Sequence, residues 1–153
     1  MISIEVVSEE KNWSKKIKKS QFFFQTVCKF FPKKYQFTNK RVFLTLLLSN
    51  NNNIKKLNKK FRKINKPTDI LSFPFKKKTK INKKTYIGDI IISYNFIDKP
   101  ELQKLEFFKK KLIRIFIHGF LHLLGFDHKK YNSYKKMLKE EERIYQSVIQ
   151  KLN

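Results

Sequence analysis

Residues 118–128 read HGFLHLLGFDH and hold every histidine in the chain, together with two of its three glycines. The run leading into them is apolar almost all round, at Ile113, Ile115, Phe116, Ile117, Phe120, Leu121, Leu123 and Leu124. A helix with no polar face must be surrounded by other elements, so the pattern predicts a buried central helix against which the rest of the chain packs. His118 and His122 are four apart and stand one above the other on a single face of that helix. Gly125 is then a left-handed helix stop, which reverses the chain and brings His128 back toward the first two.

Three imidazoles gathered in this way point to a metal site. A lone histidine on an apolar face is usually a satisfied core residue, but three at i, i+4 and i+10 around a helix stop, with none elsewhere, do not form a packing pattern. Three nitrogen ligands leave a tetrahedral zinc one open position, the catalytic rather than the structural arrangement. Nickel or another borderline divalent ion would accept the same ligands. The spacing matches the zinc metalloprotease pattern H-E-x-x-H-x-x-G-x-x-H, except that Gly119 stands where the general-base glutamate belongs. Without that carboxylate to take a proton from an activated water, peptide hydrolysis by this route is not expected.

Glycine carries information here because the composition is skewed toward lysine, asparagine, isoleucine and phenylalanine, with no alanine at all. Such a skew resembles drift toward A+T-rich codons, under which ordinary glycines are replaced. Gly88, Gly119 and Gly125 therefore mark positions where the backbone tolerates nothing else. The same drift weakens any inference from the net charge of +24. Lysines that neutralise phosphates attract a polyanion, yet codon bias yields the same excess, so charge permits nucleic acid without requiring it. The single Cys28 lies on an apolar helical pattern and reads as a buried structural thiol in a reducing compartment. The N-terminal MISIEVVSEEKNW lacks the layout of a signal peptide. The most apolar run, Leu112 to Phe126, is broken by Arg114 and two histidines and is shorter than the about 20 residues that span a bilayer. The expectation is a soluble cytoplasmic protein without a membrane partner.

No repeat, linker or composition break divides the chain, so residues 1–153 are expected to form one mixed α and β domain. ISIEVV alternates like a half-buried strand, and Trp13 to Phe31 carries apolar residues at helical spacing. RVFLTLLLS suits a buried strand, and the cluster Asn50 to Asn53 supplies the cap of a helix through IKKLNKKFRKI that Pro67 closes off. DILSFPF reads as a strand that Pro74 confines to a sheet edge. KKKTKINKK reads as a solvated basic loop, and YIGDIIIS as the next strand. A helix from about Pro100 onward sets Leu105, Phe108, Leu112 and Phe116 on one stripe. A last amphipathic helix is marked by Tyr134, Met137, Leu138, Ile144, Val148 and Ile149.

The histidine block resembles the signature H-G-x-L-H-L-x-G-[YF]-D-H of the YbeY family, metal-dependent endoribonucleases also called rRNA maturation factors. LNKKFRKINKPTDILSFPF is similar to that family's L-N-x-x-[YF]-R-x-x-[DN]-x-P-T-D-V-L-S-F block, and YIGDIIIS to its L-G-D-I-x-I-S strand, in the same order and spacing. The departures are slight: Asn65 where aspartate is frequent, Ile70 for valine, and Phe126 for the usual tyrosine, which removes a phenolic hydroxyl beside the site. The resemblance implies a zincin-like α+β fold: a small mixed sheet packed with helices, a central buried helix carrying the histidines, and a metal on the floor of a basic cleft. It further implies cleavage of single-stranded RNA, processing of ribosomal RNA at the 3′ end of the small-subunit species, and work on the ribosome or its small subunit. DNA is not an expected partner.

Carried onto this chain, the resemblance places one zinc, or another divalent ion, on His118, His122 and His128, with Arg62 and His118 as catalytic residues. Arg62 also stands out on its own: arginine is scarce beside lysine here, and only its planar fork grips a phosphate bidentately. Asp127 could orient an imidazole or merely cap the turn before the last helix. Glu141 falls on the apolar stripe of that helix and could support a ligand. Asp69 and Asp89 are expected to be structural. For the general base, Asp127, hydroxide on the ion and the RNA 2′-hydroxyl all stay open. Two rival readings are a metal hydrolase of a non-nucleic-acid substrate, which needs no cations around the metal, and a ribosome-assembly protein with structural zinc, which needs a fourth protein ligand.

Overall fold

The alternation of Ile2–Ser8 forms strand β1, the first of four; β2 spans Arg41–Ser49, β3 Ile70–Pro74 and β4 Lys84–Ser93 in a computed structural model that describes residues 1–153. The helices are α1 (Trp13–Lys16), α2 (Ser20–Lys29), α3 (Asn51–Arg62), α4 (Tyr94–Ile97), α5 (Leu105–Leu123) and α6 (Tyr131–Leu152). The strands lie in the order β1-β2-β4-β3. β1, β2 and β4 run parallel, and β3 is antiparallel to β4. This is the expected small mixed sheet, and β3 with its Pro74 is at an edge. The opposite edge is occupied too: the Gln21 and Gln25 side chains accept from Val6 N–H (2.8 Å) and Ile4 N–H (3.2 Å) and donate back to Ile4 and Ile2 carbonyls, as a further strand would.

The main core lies between one sheet face and helices α2, α5 and α6. In β2, Val42, Leu44, Leu46 and Leu48 point into it, and from α5 come Phe108, Leu112, Phe116, Ile117, Phe120 and Leu121, all fully covered. Phe24 and Phe31 set their rings 5.1 and 5.0 Å from those of Phe116 and Phe120. A smaller cluster of Ile54, Leu71 and Ile91 seats α3 on the other face. Asn50 caps α3 as expected, its side chain accepting from Asn53 N–H at 2.9 Å. Helix α3 stops at Arg62 because Lys63 turns left-handed (φ 61), so Arg62 ends the helix instead of lying within it.

Where α5 crosses the sheet, residue 119 is closely surrounded by side chains of β3 and β4. A Cβ there would sit 2.6 Å from Ile70 Cδ1 and 3.0 Å from Ser72 Oγ, and the Ser72 hydroxyl donates to the Gly119 carbonyl at 3.3 Å. The glycine at the general-base position of the protease pattern thus lets α5 lie close against the sheet.

Three expectations need correction. Trp13 to Phe31 is not one helix: the backbone extends at Ile17 (φ −125, ψ 99), splitting it into α1 and α2. The helix expected from Pro100 starts at Leu105, its first residue, which is 45% exposed. Tyr134 and Leu138 are also outside the core, at 47% and 50% exposed, whereas Met137, Ile144 and Val148 of the same helix are buried.

Candidate metal centre and its cleft

The end of α5 is built so that its termination and the placing of histidines are one event. Gly125 adopts φ 96, its N–H donates to the His122 carbonyl (3.0 Å), and Phe126 N–H donates to the Leu121 carbonyl (3.0 Å). This paired closure satisfies carbonyls that the helix would otherwise leave open. It also aims the Phe126 carbonyl at His122 Nδ1, 2.9 Å away. The chain then returns His128 to the other two rings, with centroids 5.1 Å from His122 and 5.5 Å from His118.

The three histidines each present one nitrogen such that all lie within 4.8 Å of one another. His118 Nδ1 is hydrogen-bonded to the Glu141 carboxylate on α6, and His122 Nδ1 to the Phe126 carbonyl. Both partners only accept, so each Nδ1 carries the proton and each Nε2 keeps a free lone pair. Those Nε2 atoms face each other at 3.0 Å. Nitrogens at 2.0–2.1 Å from a tetrahedral ion are separated by about 3.4 Å, so the two Nε2 atoms are already near the spacing of shared ligands. The donor set therefore fits a divalent metal, and zinc among others. No carboxylate belongs to the cluster, which leaves the fourth position without a protein ligand. Burial, and then the neighbouring His118, His128 and Arg62, hold His122 below its ordinary 6.5 despite the Phe126 carbonyl. That favours the neutral, ligating form.

A cleft of about 650 Å³ opens over the histidines. Its walls bring Arg62 from the end of α3, Lys77 from the basic loop and Lys129 from the turn before α6 to the same space. Asp69 and Asp127 also line it. Asp69 is turned to its own chain, accepting from Ile70 N–H (2.8 Å) and Thr68 Oγ1 (3.2 Å). Asp127 accepts from Lys129 N–H at 3.2 Å. Ser133, and then that N–H, hold its carboxyl below the ordinary range.

The sequence model of the family described as "Endoribonuclease YbeY" matches residues 5–149. The chain belongs to the YbeY endoribonuclease family. The endoribonuclease YbeY of Pelagibacter ubique is 59% identical over 152 residues, 99% of either chain. That of Buchnera aphidicola is 38% identical over 135 residues, 88% of this chain and 84% of the relative. The solution structure of TM1509 from Thermotoga maritima superposes with a TM-score of 0.57 at 24% identity, covering 97% of this chain and 91% of that one, a likeness of fold.

Within the YbeY pattern, the structure brings His118, His122, His128, Arg62 and Asp127 to one cleft and sets Glu141 behind His118. Asp127 has the turn-capping bond and none to an imidazole. Asp89 is elsewhere, bonded to Thr45 and Tyr86 in a groove beside α3. Phe126, in the usual tyrosine position, lines the cleft with its ring packed on the core. Sequence reasoning missed the Phe126 carbonyl, which has no side-chain signal, and Lys77, which the basic loop brings to the cleft where a merely solvated loop was expected. It also missed Glu140, a buried carboxylate 2.6 Å from Lys34.

Proposed function

We propose that residues 1–153 form a single metal-dependent endoribonuclease domain that cuts single-stranded RNA, with ribosomal RNA, at the 3′ end of the small-subunit species, as substrate. The observation that carries this reading is the meeting, in a chain of the endoribonuclease YbeY family, of a three-nitrogen cluster with one open position and Arg62 in a single cleft. In the proposal His118, His122 and His128 are the metal ligands, and zinc is the metal. A divalent ion held there supplies Lewis acidity toward water and a phosphoryl oxygen. Arg62 binds the phosphate through its fork and offsets the charge that builds on it as the bond breaks. His118 sits at the reacting centre, held in its ligating tautomer by Glu141, and Asp127 shapes the turn that presents His128.

Cations lining the cleft are what a polyanionic substrate needs and what a neutral one does not. The open fourth position favours catalysis over a purely structural zinc. No helix is long and apolar enough to cross a membrane. The proposal places the protein in the cytoplasm with the ribosome or its small subunit as partner, and without DNA or membrane partners. The test is cleavage of a labelled single strand and of its duplex by native, metal-stripped and metal-restored protein, with His122→Ala as control. Cleavage confined to the single strand, lost on stripping, regained with zinc and absent from His122→Ala is expected. Equal cleavage in every sample, or none in any, would sink the reading.

A further inference from the structure

Tyr134 and Leu138 fall on the stripe that an amphipathic α6 should bury, yet both are about half exposed, while Met137 between them is 1% exposed. Their surroundings explain where they face. With Met137 and Glu141 they enclose a small cavity of about 80 Å³ whose remaining walls are His118 and His128. The same two histidines line the large cleft, so the two spaces meet at the candidate metal centre.

The chemistry changes across that boundary. The large cleft carries Arg62, Lys77 and Lys129, whereas the small cavity has no lysine or arginine and sets a phenol ring, a thioether and a branched alkyl chain beside the Glu141 carboxylate and the two histidines. A single RNA strand has the same two sides, charge along its backbone and flat apolar faces on its bases. Since His118 and His128 border both spaces, a strand whose phosphate lies between Arg62 and the histidines can reach α6 with the base of an adjoining nucleotide. A tyrosine ring offers a broad stacking face at the cost of only two side-chain torsions.

We propose that Tyr134, backed by Leu138, stacks the unpaired nucleobase next to the scissile phosphate and so selects single-stranded RNA. The proposal rests on the ribonuclease reading above. A base inside a duplex is already stacked on both faces and paired at its edge, so it cannot occupy this wall without leaving the helix.

The experiment uses the full-length, zinc-loaded protein and a labelled single strand cut at one position, alongside strands that carry one abasic ribonucleotide at each site flanking the cut. Tyr134→Ala should lower kcat/KM on the intact strand by about 5-fold to about 100-fold, the range that base stacking on an aromatic ring implies. Most of the change should appear in KM. Tyr134→Trp should retain activity, and Leu138→Ala should show a smaller loss of the same kind. At one abasic position wild type and Tyr134→Ala should become equal, because the partner of the ring is gone. Metal content and Tm of the variants should match wild type. Undiminished cleavage by Tyr134→Ala, or an equal loss on every abasic strand and the intact one, would overturn the stacking wall while leaving the ribonuclease reading in place. Failure of the wild type itself to cut any strand would instead remove the reading on which the wall rests. If Tyr134→Ala fails to fold, the comparison of Leu138→Ala with wild type across the abasic strands decides the matter in the same way.

Discussion

His118 and His122 project from a helix whose neighbours Phe116, Ile117, Phe120 and Leu121 are fully buried, whereas Arg62, Lys77 and Lys129 reach the same cleft from a helix end, a loop and a turn, all exposed. The first pair has its outer ring nitrogens engaged by Glu141 and the Phe126 carbonyl. None of the three cations makes a salt bridge to a carboxylate. The contrast matches two demands. An ion tolerates ligand errors of a few tenths of an ångström, which only a packed core guarantees. The flexible strand of phosphates in the proposed reaction calls instead for exposed side chains that are not tied to a carboxylate.

If the cations divide the work unequally, Arg62 should matter most. Arg62→Lys keeps the charge and loses the fork, and about a 100-fold fall in kcat/KM with unchanged metal content is expected; steady-state kinetics with metal analysis checks it. On the core side, Glu141→Gln should weaken zinc affinity by about 10-fold, measured by competition with a chelator, because a neutral amide polarises His118 less than a carboxylate does. Gly119→Ala attacks the shared foundation by pushing a methyl against Ile70 and Ser72. A loss of about 1–3 kcal/mol in denaturant unfolding is expected. The mildest change belongs to the exposed side: Lys129→Ala should lower the slope of log affinity against log salt by about 0.7, the single-strand value for one phosphate contact.

Acid tests the fold away from the cleft. Burial pushes the Glu140 carboxyl up, but the hydrogen bond and charge of Lys34, with Arg143 nearby, outweigh it, and the net shift is below the ordinary 4.5. A carboxylate depressed in the folded state stabilises above the unfolded value, and that stability is lost as pH falls below about 4.5 through the folded value. Glu140→Gln should flatten this acid limb in unfolding curves recorded from pH 6 to about 3.

Much of this arrangement was legible in the sequence because side-chain pattern dictated it. The i, i+4 pair on the apolar second half of α5 and the left-handed Gly125 bring the histidines together, and the scarcity of arginine marked out Arg62. What escaped was decided by backbone or by tertiary geometry. The break at Ile17 interrupts a helical spacing without proline or glycine to mark it. The bond from His122 runs to a main-chain oxygen. Lys77 and Lys129 cannot be told from the other lysines until the chain closes around the cleft. Glu141 was visible on its stripe, but the buried charge of its neighbour Glu140 was not, since Lys34 meets it from 106 residues away.

The most direct measurement titrates metal-stripped protein with zinc while recording bound metal and the rate of single-strand cleavage in the same samples. One ion per chain on the three histidines predicts that binding and activity rise together and both break at about one equivalent, with neither response in His122→Ala. Cleavage at full rate before zinc is added, or binding that saturates at one equivalent without any cleavage, would contradict it.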